Sequence, residues 1–347
     1  MHIVTADSLN VASASDPLAG DRWQQSVRCA VRSPEELCQV LQLPAAYSAA
    51  AKRAPAHFGL FVPREYLEKI PPGNPAHPLL RQILPMVEEL DEGGAASGFS
   101  RDPVADTAAL VAPGLLQKYA SRVLLVLTGA CAVHCRYCFR RYYPYEEMPR
   151  GAEDWQPALA QIEKDSTIDE VILSGGDPLM LVDSSLQQLS EKIARIEHVK
   201  RLRIHTRLPI MIPSRVNDTL LSWLTGTRLA PFVVVHANHA LEIDAGVATA
   251  LTKMVDAGVV VLNQSVLLRG VNDSVSALEV LLRRLVDLRV IPYYLHQLDR
   301  VLGSEHFEVS DVRSRELIAE LRRRLPGYAV PRLAREVEGA SHKEILA

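Results

Sequence analysis

The sequence lacks several features that would assign a protein to a class by composition alone. No apolar run in its 347 residues reaches the roughly 20 residues that span a bilayer. Residues 1–23 contain no basic stretch followed by an apolar one, so no signal peptide is predicted. The net charge is only -3, which gives no electrostatic reason to expect nucleic acid or a membrane as partner. These absences predict a cytoplasmic protein, in a compartment where disulfides are rare.

The first third of the chain differs in texture from the remainder. Residues 1–115 are interrupted often by Pro and Gly, and helical signals occur at residues 33–41 and 78–90. The first of these begins with Ser33 as a helix N-cap and Pro34 at the first helical position. We therefore predict a helical, loop-rich N-terminal extension.

The rest of the chain alternates short apolar runs with amphipathic stretches. The runs, rich in β-branched residues, occupy residues 122–127, 170–173, 201–205, 232–236, 259–264 and 291–295. Amphipathic stretches between them include residues 184–197, 242–257 and 276–288. This pattern predicts an α/β fold with about six βα units and a parallel sheet, either open or curled into a barrel. Polar residues follow most of the strands, and the active site of such a fold lies at that edge.

Three cysteines fall within eight residues, just after the first of these strands. Cys131, Cys135 and Cys138 cannot complete a structural zinc site alone, because such sites use four ligands, usually in two pairs. The remaining cysteines, Cys29 and Cys38, lie far upstream. Three thiolates on a cubane cluster would hold three irons and leave the fourth with an open coordination position.

The cysteine loop resembles the signature of radical S-adenosylmethionine enzymes. Its spacing is C-x3-C-x-aromatic-C, with Tyr137 as the aromatic residue. The resemblance implies a [4Fe–4S] cluster whose open iron binds S-adenosylmethionine, and a contact between that cofactor and residues 174–177, Ser-Gly-Gly-Asp. The alternative is a zinc loop in which His134 is the fourth ligand, although His134 is adjacent to Cys135 and poorly placed for this.

A longer resemblance, from about residue 57 to the C-terminus, is to the lysine 2,3-aminomutase family, whose members also bind pyridoxal phosphate (PLP). It rests on stretches that include LQKYASRVL, RLRIHTRLP, HANH, NQSVLLRGVND, PYYLHQLD and GSEHF. It implies a partial (β/α)6 TIM-like barrel of the radical S-adenosylmethionine type over residues 116–330. The extension then occupies residues 1–115, and a C-terminal segment at residues 331–347 carries the PLP lysine.

The resemblance also implies a role for individual residues. Lys343 is the expected Schiff-base lysine, and Lys118 and Arg122 match the positions that hold the PLP phosphate. Arg140 matches the residue for the substrate carboxylate, and Asp299 and Glu336 match the two acids for the side-chain ammonium. The remaining positions expected to bind a cofactor are Tyr119, Tyr137, Ser174, Gly175, Gly176, Asp177, His205, His236 and Gln264.

Within that family the chain resembles the short branch that makes (R)-β-lysine for modification of translation elongation factor P. Longer members carry a C-terminal extension with further zinc-ligand cysteines, which do not follow Lys343 here. The implied partners are L-lysine, elongation factor P with its lysyl ligase, and a low-potential electron donor such as flavodoxin or ferredoxin. Two alternatives stay open: an aminomutase for another amino acid such as glutamate, and a non-catalytic iron–sulfur protein.

Overall fold

The computed structural model describes residues 22–53, 58–90, 98–149 and 154–347. Residues 1–21, where the sequence predicts no signal peptide, lie outside this part of the chain. None of the helices within the described ranges combines the length and the apolar character that a bilayer span needs.

The described part of the N-terminal extension contains five short α-helices. They are α1 (Arg22–Arg28), α2 (Pro34–Val40), α3 (Ala45–Arg53), α4 (Arg64–Leu67) and α5 (Pro78–Arg81). The predicted cap of α2 is confirmed, since the Ser33 hydroxyl accepts hydrogen bonds from the backbone N–H groups of Glu35 and Glu36. Such a cap satisfies donors that have no partner inside the helix.

The prediction of one helix over residues 78–90 is wrong. Helix α5 ends at Arg81, and a separate 3-10 helix forms at Val87–Leu90. Pro85 lies between them. Proline has no backbone N–H and clashes with the preceding turn, so the second half of the segment cannot continue the first as an α-helix.

The centre of the protein is one ten-stranded sheet whose spatial order follows the chain order. Its strands are β1 (Leu110–Ala112), β2 (Leu115–Tyr119), β3 (Arg122–Val126), β4 (Glu170–Ser174), β5 (Arg201–Thr206), β6 (Ala230–Val235), β7 (Val260–Val266), β8 (Ile291–His296), β9 (Arg332–Arg335) and β10 (Glu344–Ile345). Strands β3 to β9 are parallel to one another, whereas the pairs β1–β2, β2–β3 and β9–β10 are antiparallel. Because β1 and β10 form its two edges, the sheet is open in the described residues.

Helices connect the parallel strands in the predicted βα alternation. They are α6 (Gln156–Lys164), α7 (Asp183–Arg195), α8 (Leu208–Met211), α9 (Asp218–Thr225), α10 (Ala245–Asp256), α11 (Val275–Asp287) and α12 (Asp311–Arg324). Each of the strands β3 to β8 is followed by at least one of them, so the prediction of six βα units is confirmed. The fold is α/β, with an open, barrel-like sheet preceded by a helical extension.

The extension and the sheet share a hydrophobic core. Leu37, Tyr66 and Leu79 of the extension belong to the same cluster of buried side chains as Val171 in β4 and Ile204 in β5. The described part of the extension is therefore packed against the βα units. This packing lets residues from the extension reach the loops at the carboxyl ends of the strands.

The last two strands bring the C-terminal residues back to the sheet. Strand β9 pairs parallel with β8, and β10 returns antiparallel along β9 with Glu344 opposite Arg335. This register puts Lys343 directly opposite Glu336, because antiparallel partners keep a constant sum of residue numbers. The backbone N–H of Leu346 donates to the Leu333 carbonyl at 2.8 Å and extends the pairing.

The shared core generates a prediction about stability. Replacing Ile204, which is 0% exposed at the centre of β5, with Ala should lower the free energy of unfolding by about 2–5 kcal/mol, since it removes buried methylene groups and leaves a cavity. Chemical denaturation measures this change. Val280→Ala is the matched control, because Val280 in α11 is 57% exposed and its truncation should change stability by less than about 0.5 kcal/mol. Equal losses in the two variants would show that Ile204 is not a core residue.

Candidate active site

The loop after β3 carries the three clustered cysteines and is fixed by the N-terminal extension. Backbone N–H groups of His134 and Arg136 donate to the carbonyls of Phe61 and Gln82, at 3.0 and 2.9 Å. The Arg136 guanidinium adds a 2.8 Å hydrogen bond to the Phe58 carbonyl. The extension thus determines the path of the loop between the first and last cysteine.

A buried carboxylate holds the same loop through ion pairs. Glu89 accepts hydrogen bonds from Arg136 at 2.8 and 2.5 Å and from Arg141 at 2.5 Å. Burial by itself would raise the pKa of Glu89, but the Arg136 and Arg141 guanidinium groups hold that pKa below its ordinary value. Removing one member would leave an uncompensated buried charge, so the three residues act as a unit.

The cysteine thiols are partly buried and face a common cavity. Burial raises the pKa of the Cys131 thiol well above its ordinary value and raises that of Cys138 to about 11. A metal centre must therefore displace protons when it binds these sulfurs, as thiolate ligation requires. No group of three or more His, Cys, Asp or Glu side chains among the described residues converges as the ligands of a single ion. A cubane cluster instead takes one thiolate at each of three separate irons.

His134, the alternative zinc ligand, is engaged elsewhere. Its Nδ1 lies 2.9 Å from the Gly59 carbonyl, and its ring stacks on Phe58 with 5.0 Å between ring centroids. Because a carbonyl only accepts, Nδ1 carries the proton in this contact. Burial lowers the pKa of His134 to about 4, so the ring is neutral. It serves the contact between the loop and the extension.

The Gly-Gly-Asp turn after β4 packs directly on the cysteine loop. The backbone N–H groups of Gly176 and Asp177 donate to the carbonyls of Thr128 and Ala130, at 2.7 and 2.8 Å. A Cβ atom on Gly176 would lie 2.5 Å from the Ala130 carbonyl oxygen. At this turn the close approach permitted by glycine is made to the chain's own backbone.

The Asp177 carboxylate organises the end of the next strand. It accepts hydrogen bonds from the Thr206 hydroxyl at 2.7 Å and from the backbone N–H groups of Leu179, Arg207 and Leu208, at 2.8–3.1 Å. Four protein donors therefore surround the side chain that the sequence assigns to S-adenosylmethionine. Its role in the described residues is to join the ends of β4 and β5.

Two predicted cationic residues meet at an acid that sequence reasoning missed. Asp106 accepts a hydrogen bond from Arg140 Nε at 2.6 Å and forms an ion pair with Lys118 at 2.6 Å. Arg140 Nη1 also donates to the Ser174 hydroxyl at 3.2 Å. Burial would raise the pKa of Asp106, but Arg140 and Lys118 hold it below its ordinary value. Asp106 lies in the extension, where nothing in the local sequence separates it from a surface acid.

A second charged group forms where the C-terminal hairpin meets β2. Lys343 forms an ion pair with Glu336, which also accepts a 2.6 Å hydrogen bond from the Tyr119 hydroxyl. The Arg122 guanidinium lies over the Tyr119 ring, 4.6 Å from its centroid. Burial would raise the pKa of Glu336, but Lys343 holds it below its ordinary value. Tyr119 therefore contacts a predicted substrate acid as well as lining the cavity.

Asp299, the other predicted substrate acid, is placed differently. It makes no ion pair within 4.0 Å in the part of the chain that the structure describes. Burial raises its pKa to about 6, despite the opposing charge of Lys343. An acid held in this way would gain from a cationic partner.

Half-buried histidines contribute neutral rings to the same space. The Nε2 atoms of His205 and His236 are buried and have no protein hydrogen-bond partner in the described residues. Burial lowers the pKa of His205, and that of His236 to about 4. His296, at the end of β8, also lines the cavity, and burial lowers its pKa. The strand-end position of His296 was visible in the sequence, but its role was not.

The cysteines, the Gly-Gly-Asp turn, the two charged groups, Asp299 and the three histidines surround one cavity of about 530 Å³. Every predicted site residue lines it, from the three cysteines to Lys343. Its other lining residues include Asp106, Tyr145, Arg203, Tyr294, His296 and Arg332, none of which was assigned a role from sequence. The structure thus brings together predicted site residues that are up to 225 positions apart in the chain, from Lys118 to Lys343.

Comparisons with known proteins find relatives that cover most of this chain. A family described as "4Fe-4S single cluster domain" matches residues 120–206, which contain the cysteine loop and the Gly-Gly-Asp turn. The chain is 44% identical to an L-lysine 2,3-aminomutase of Escherichia coli K12, over 99% of this chain and 97% of the relative. It is 43% identical to the enzyme of that name from Haemophilus influenzae, over 94% and 95% of the two chains.

More distant relatives carry the same name. An L-lysine 2,3-aminomutase of Clostridium subterminale is 33% identical over 92% of this chain and 76% of its own length. Among solved structures, a radical SAM methyltransferase from Sphaerobacter thermophilus aligns with a TM-score of 0.45 and 20% identity, over 64% of this chain and 68% of that one.

The close contact between the two loops generates a prediction. Gly176→Ala should push the cysteine loop away from the Gly-Gly-Asp turn, because the new Cβ would overlap the Ala130 carbonyl. We expect a loss of about 1–3 kcal/mol in stability and less iron bound per chain after anaerobic reconstitution. Iron analysis and thermal melting measure both effects. Gly327→Ala is the matched control, since a Cβ there meets nothing within 4 Å. Normal iron content in Gly176→Ala would show that this packing does not shape the loop.

Proposed function

This chain belongs to the L-lysine 2,3-aminomutase family, and from that membership we propose that it converts (S)-α-lysine to (R)-β-lysine. The observation that carries the proposal is the meeting of Lys343, Asp299, Glu336 and Arg140 with the three cysteines around one cavity. As an enzyme of this family it is an isomerase that uses a [4Fe–4S] cluster, S-adenosylmethionine and PLP. The alternative of glutamate as substrate is disfavoured. Asp299 and Glu336 are not paired with arginine, and their negative charges would repel the side-chain carboxylate of glutamate.

The residues present fit the proposed cofactors. Cys131, Cys135 and Cys138 offer three thiols on one loop, and the uncharged imidazoles of His205 and His236 offer buried nitrogens without protein partners in the described residues. The cluster and S-adenosylmethionine supply a radical that abstracts hydrogen, and PLP supplies an electron sink for the migrating amino group. The cavity walls exclude bulk water from both.

Lys343 and Arg122 fit the two ends of PLP. Lys343 is a primary amine held at the cavity by the β9–β10 hairpin. The Arg122 guanidinium makes no ion pair to a carboxylate within 4.0 Å in the described residues, so it offers an unpaired charge to a phosphate. Lys118 pairs with Asp106 at 2.6 Å and with Glu336 at 3.7 Å, and it donates to the Val104 carbonyl, so its charge is already compensated in part before a phosphate binds.

Arg140 is proposed to bind the substrate carboxylate. Asp106 holds the guanidinium by its Nε and Ser174 by its Nη1, while Nη2 makes no hydrogen bond to the described residues. The side chain is therefore oriented before substrate binds, with donors left for a carboxylate. Asp106 also keeps the net charge of the group low, which limits the cost of burying two cations.

Asp299 and Glu336 are proposed to bind the side-chain ammonium. Glu336 is fixed by the Tyr119 hydroxyl, and Asp299 is half-buried without a cation close enough for an ion pair in the described residues. One ammonium between two half-buried acids satisfies both, and it does so more strongly than it would in water. This arrangement selects a substrate with a positive charge at the end of its side chain.

The destination of the product is proposed from the closer relatives. Identity is higher to the Escherichia coli and Haemophilus influenzae proteins, at 44% and 43%, than to the Clostridium subterminale protein, at 33%. We assign the chain to the short branch that supplies (R)-β-lysine for attachment to elongation factor P by its lysyl ligase. A cytoplasmic location and a low-potential donor such as flavodoxin or ferredoxin belong to the same proposal.

One experiment tests the proposed reaction. The protein is reconstituted anaerobically with iron, sulfide and PLP, then incubated with L-lysine, S-adenosylmethionine and a reductant. Chiral chromatography should detect (R)-β-lysine, and transfer of that product to elongation factor P by the lysyl ligase should exceed transfer of α-lysine. A fully reconstituted protein that isomerises glutamate, or no amino acid, would refute the substrate assignment.

The assignment of Lys343 as the PLP-binding lysine generates a prediction that does not depend on turnover. Lys343→Met should abolish the visible absorbance of lysine-bound PLP and leave the iron–sulfur spectrum unchanged, because the two cofactors use different ligands. Absorbance spectra of the reconstituted protein give both signals. Lys200→Met is the control, since Lys200 is an exposed lysine that is not among the cavity residues. If Lys343→Met retained the PLP absorbance, the Schiff base would have to lie on another lysine.

The assignment of Asp299 to the substrate ammonium generates a second prediction. Asp299→Asn removes one charge with almost no change of shape, so the KM for lysine should rise about tenfold to a hundredfold. Cluster and PLP content should stay at the wild-type level. Asp287→Asn, at an exposed position in α11, should have no effect on KM. A normal KM in Asp299→Asn would mean that this carboxylate does not bind the substrate.

The same acid predicts a dependence on pH. With its pKa raised to about 6, Asp299 is ionised above that pH and neutral below it. The affinity for lysine should therefore fall as the pH drops through about 6, rather than near 4 as for an exposed aspartate. Asp299→Asn should lose this step in a plot of KM against pH. A step that persists in the variant would assign it to another group.

A further inference from the structure

A buried guanidinium lies directly against one of the predicted cluster cysteines. Arg207 Nη1 donates to Cys135 Sγ at 2.7 Å, and the side chain is only 7% exposed in total. Arg207 follows strand β5 by one residue, and no function was assigned to it from the sequence. Arg207 contacts the Cys135 sulfur, which is the atom that would bind iron, so it would act on a cluster through that sulfur.

The position of this guanidinium is fixed from several sides. Arg207 Nη2 donates to Gln82 Oε1 and to Glu242 Oε2, each at 2.8 Å. The backbone N–H of Arg207 donates to the Asp177 carboxylate, also at 2.8 Å. The rings of Tyr66 and Tyr137 lie 5.9 and 5.8 Å from the guanidinium carbon. With these contacts the side chain cannot turn away from Cys135 without leaving a buried carboxylate unpaired.

The partner acid is itself built into the fold. Glu242 is fully buried, and its Oε1 accepts hydrogen bonds from the backbone N–H groups of Asn238 and His239, at 2.8 and 3.0 Å. Oε2 is the atom that accepts from Arg207. The acid therefore pairs with the guanidinium nitrogen that does not contact the sulfur, and it offsets part of the guanidinium charge.

Hydrogen bonds and nearby positive charge favour the form of an iron–sulfur cluster that carries more electrons. Reduction adds one negative charge to the cluster, and a donor to a ligand sulfur stabilises that charge. We propose that Arg207 is a positioning residue that holds the Cys135 sulfur and raises the reduction potential of the cluster, with Glu242 limiting the effect. This inference rests on the proposed role of Cys135 as a cluster ligand.

The test compares the cluster reduction potential across three variants. Arg207→Gln removes the cation, so the equilibrium constant for one-electron reduction should fall at least about tenfold, which is about 59 mV. Arg207→Lys keeps the charge on a shorter stem and should give a smaller fall. Glu242→Gln leaves the Arg207 charge less compensated and should shift the potential in the opposite direction.

The measurement is a redox titration of the reconstituted protein, followed by electron paramagnetic resonance, with no lysine present. Arg201→Gln is the control, because it makes the same charge change at the other end of β5, where Arg201 pairs with Asp169. Its potential should match the wild type. Iron content per chain and thermal melting separate a change in potential from a loss of structure.

A fully loaded Arg207→Gln protein with the wild-type potential would overturn the inference. If that variant holds too little iron to titrate, Arg207→Lys and Glu242→Gln decide the matter. Reduction potentials that shift in opposite directions in these two variants support the proposal. Shifts in the same direction, or no shift, refute it. A wild-type protein that is fully loaded but does not turn over lysine would refute the proposed function alone, whereas failure to assemble any cluster would overturn both.

Discussion

The Glu89 carboxylate is completely buried, and the two guanidinium groups that it binds lie on either side of the last cysteine of the loop. Arg136 precedes Cys138 and Arg141 follows it, so one acid from the extension fixes the chain on both sides of Cys138. Burying these charges is favourable only while all three are present, since each alone would be desolvated without compensation. The path of the cysteine loop, and hence any site built on it, depends on this group.

The extension is consequently part of the active-site architecture. It supplies Glu89 and backbone acceptors to the cysteine loop, Gln82 to the guanidinium of Arg207, and Asp106 to Arg140 and Lys118. Its apolar side chains share a core with the strands, which keeps these polar groups in register with the loops. An extension that packed only on the outside of the barrel could not reach the carboxyl ends of the strands.

Charge compensation also organises the cavity. Acids and bases form one connected set there: Asp106 pairs with Arg140 and Lys118, Glu336 pairs with Lys343, and Lys118 also lies 3.7 Å from Glu336. Asp299 makes no ion pair in the described residues, and burial raises its pKa. In the proposed function, an α-amino acid with a cationic side chain places its carboxylate at Arg140 and its ammonium at Asp299 and Glu336.

The sequence by itself determined the six βα units, the cap at Ser33 and the cysteine loop, because hydrophobic period, capping and ligand spacing are local properties. It also indicated that strand-end residues such as His205 and Gln264 would gather, since parallel strands end at one edge. The single helix over residues 78–90 failed where Pro85 interrupts it. Tertiary structure alone decided that Glu89, Asp106 and Glu242 would bind arginines of the cavity. An isolated acid in a sequence has the same appearance whether water or a distant guanidinium becomes its partner, and only the packed fold removes the water.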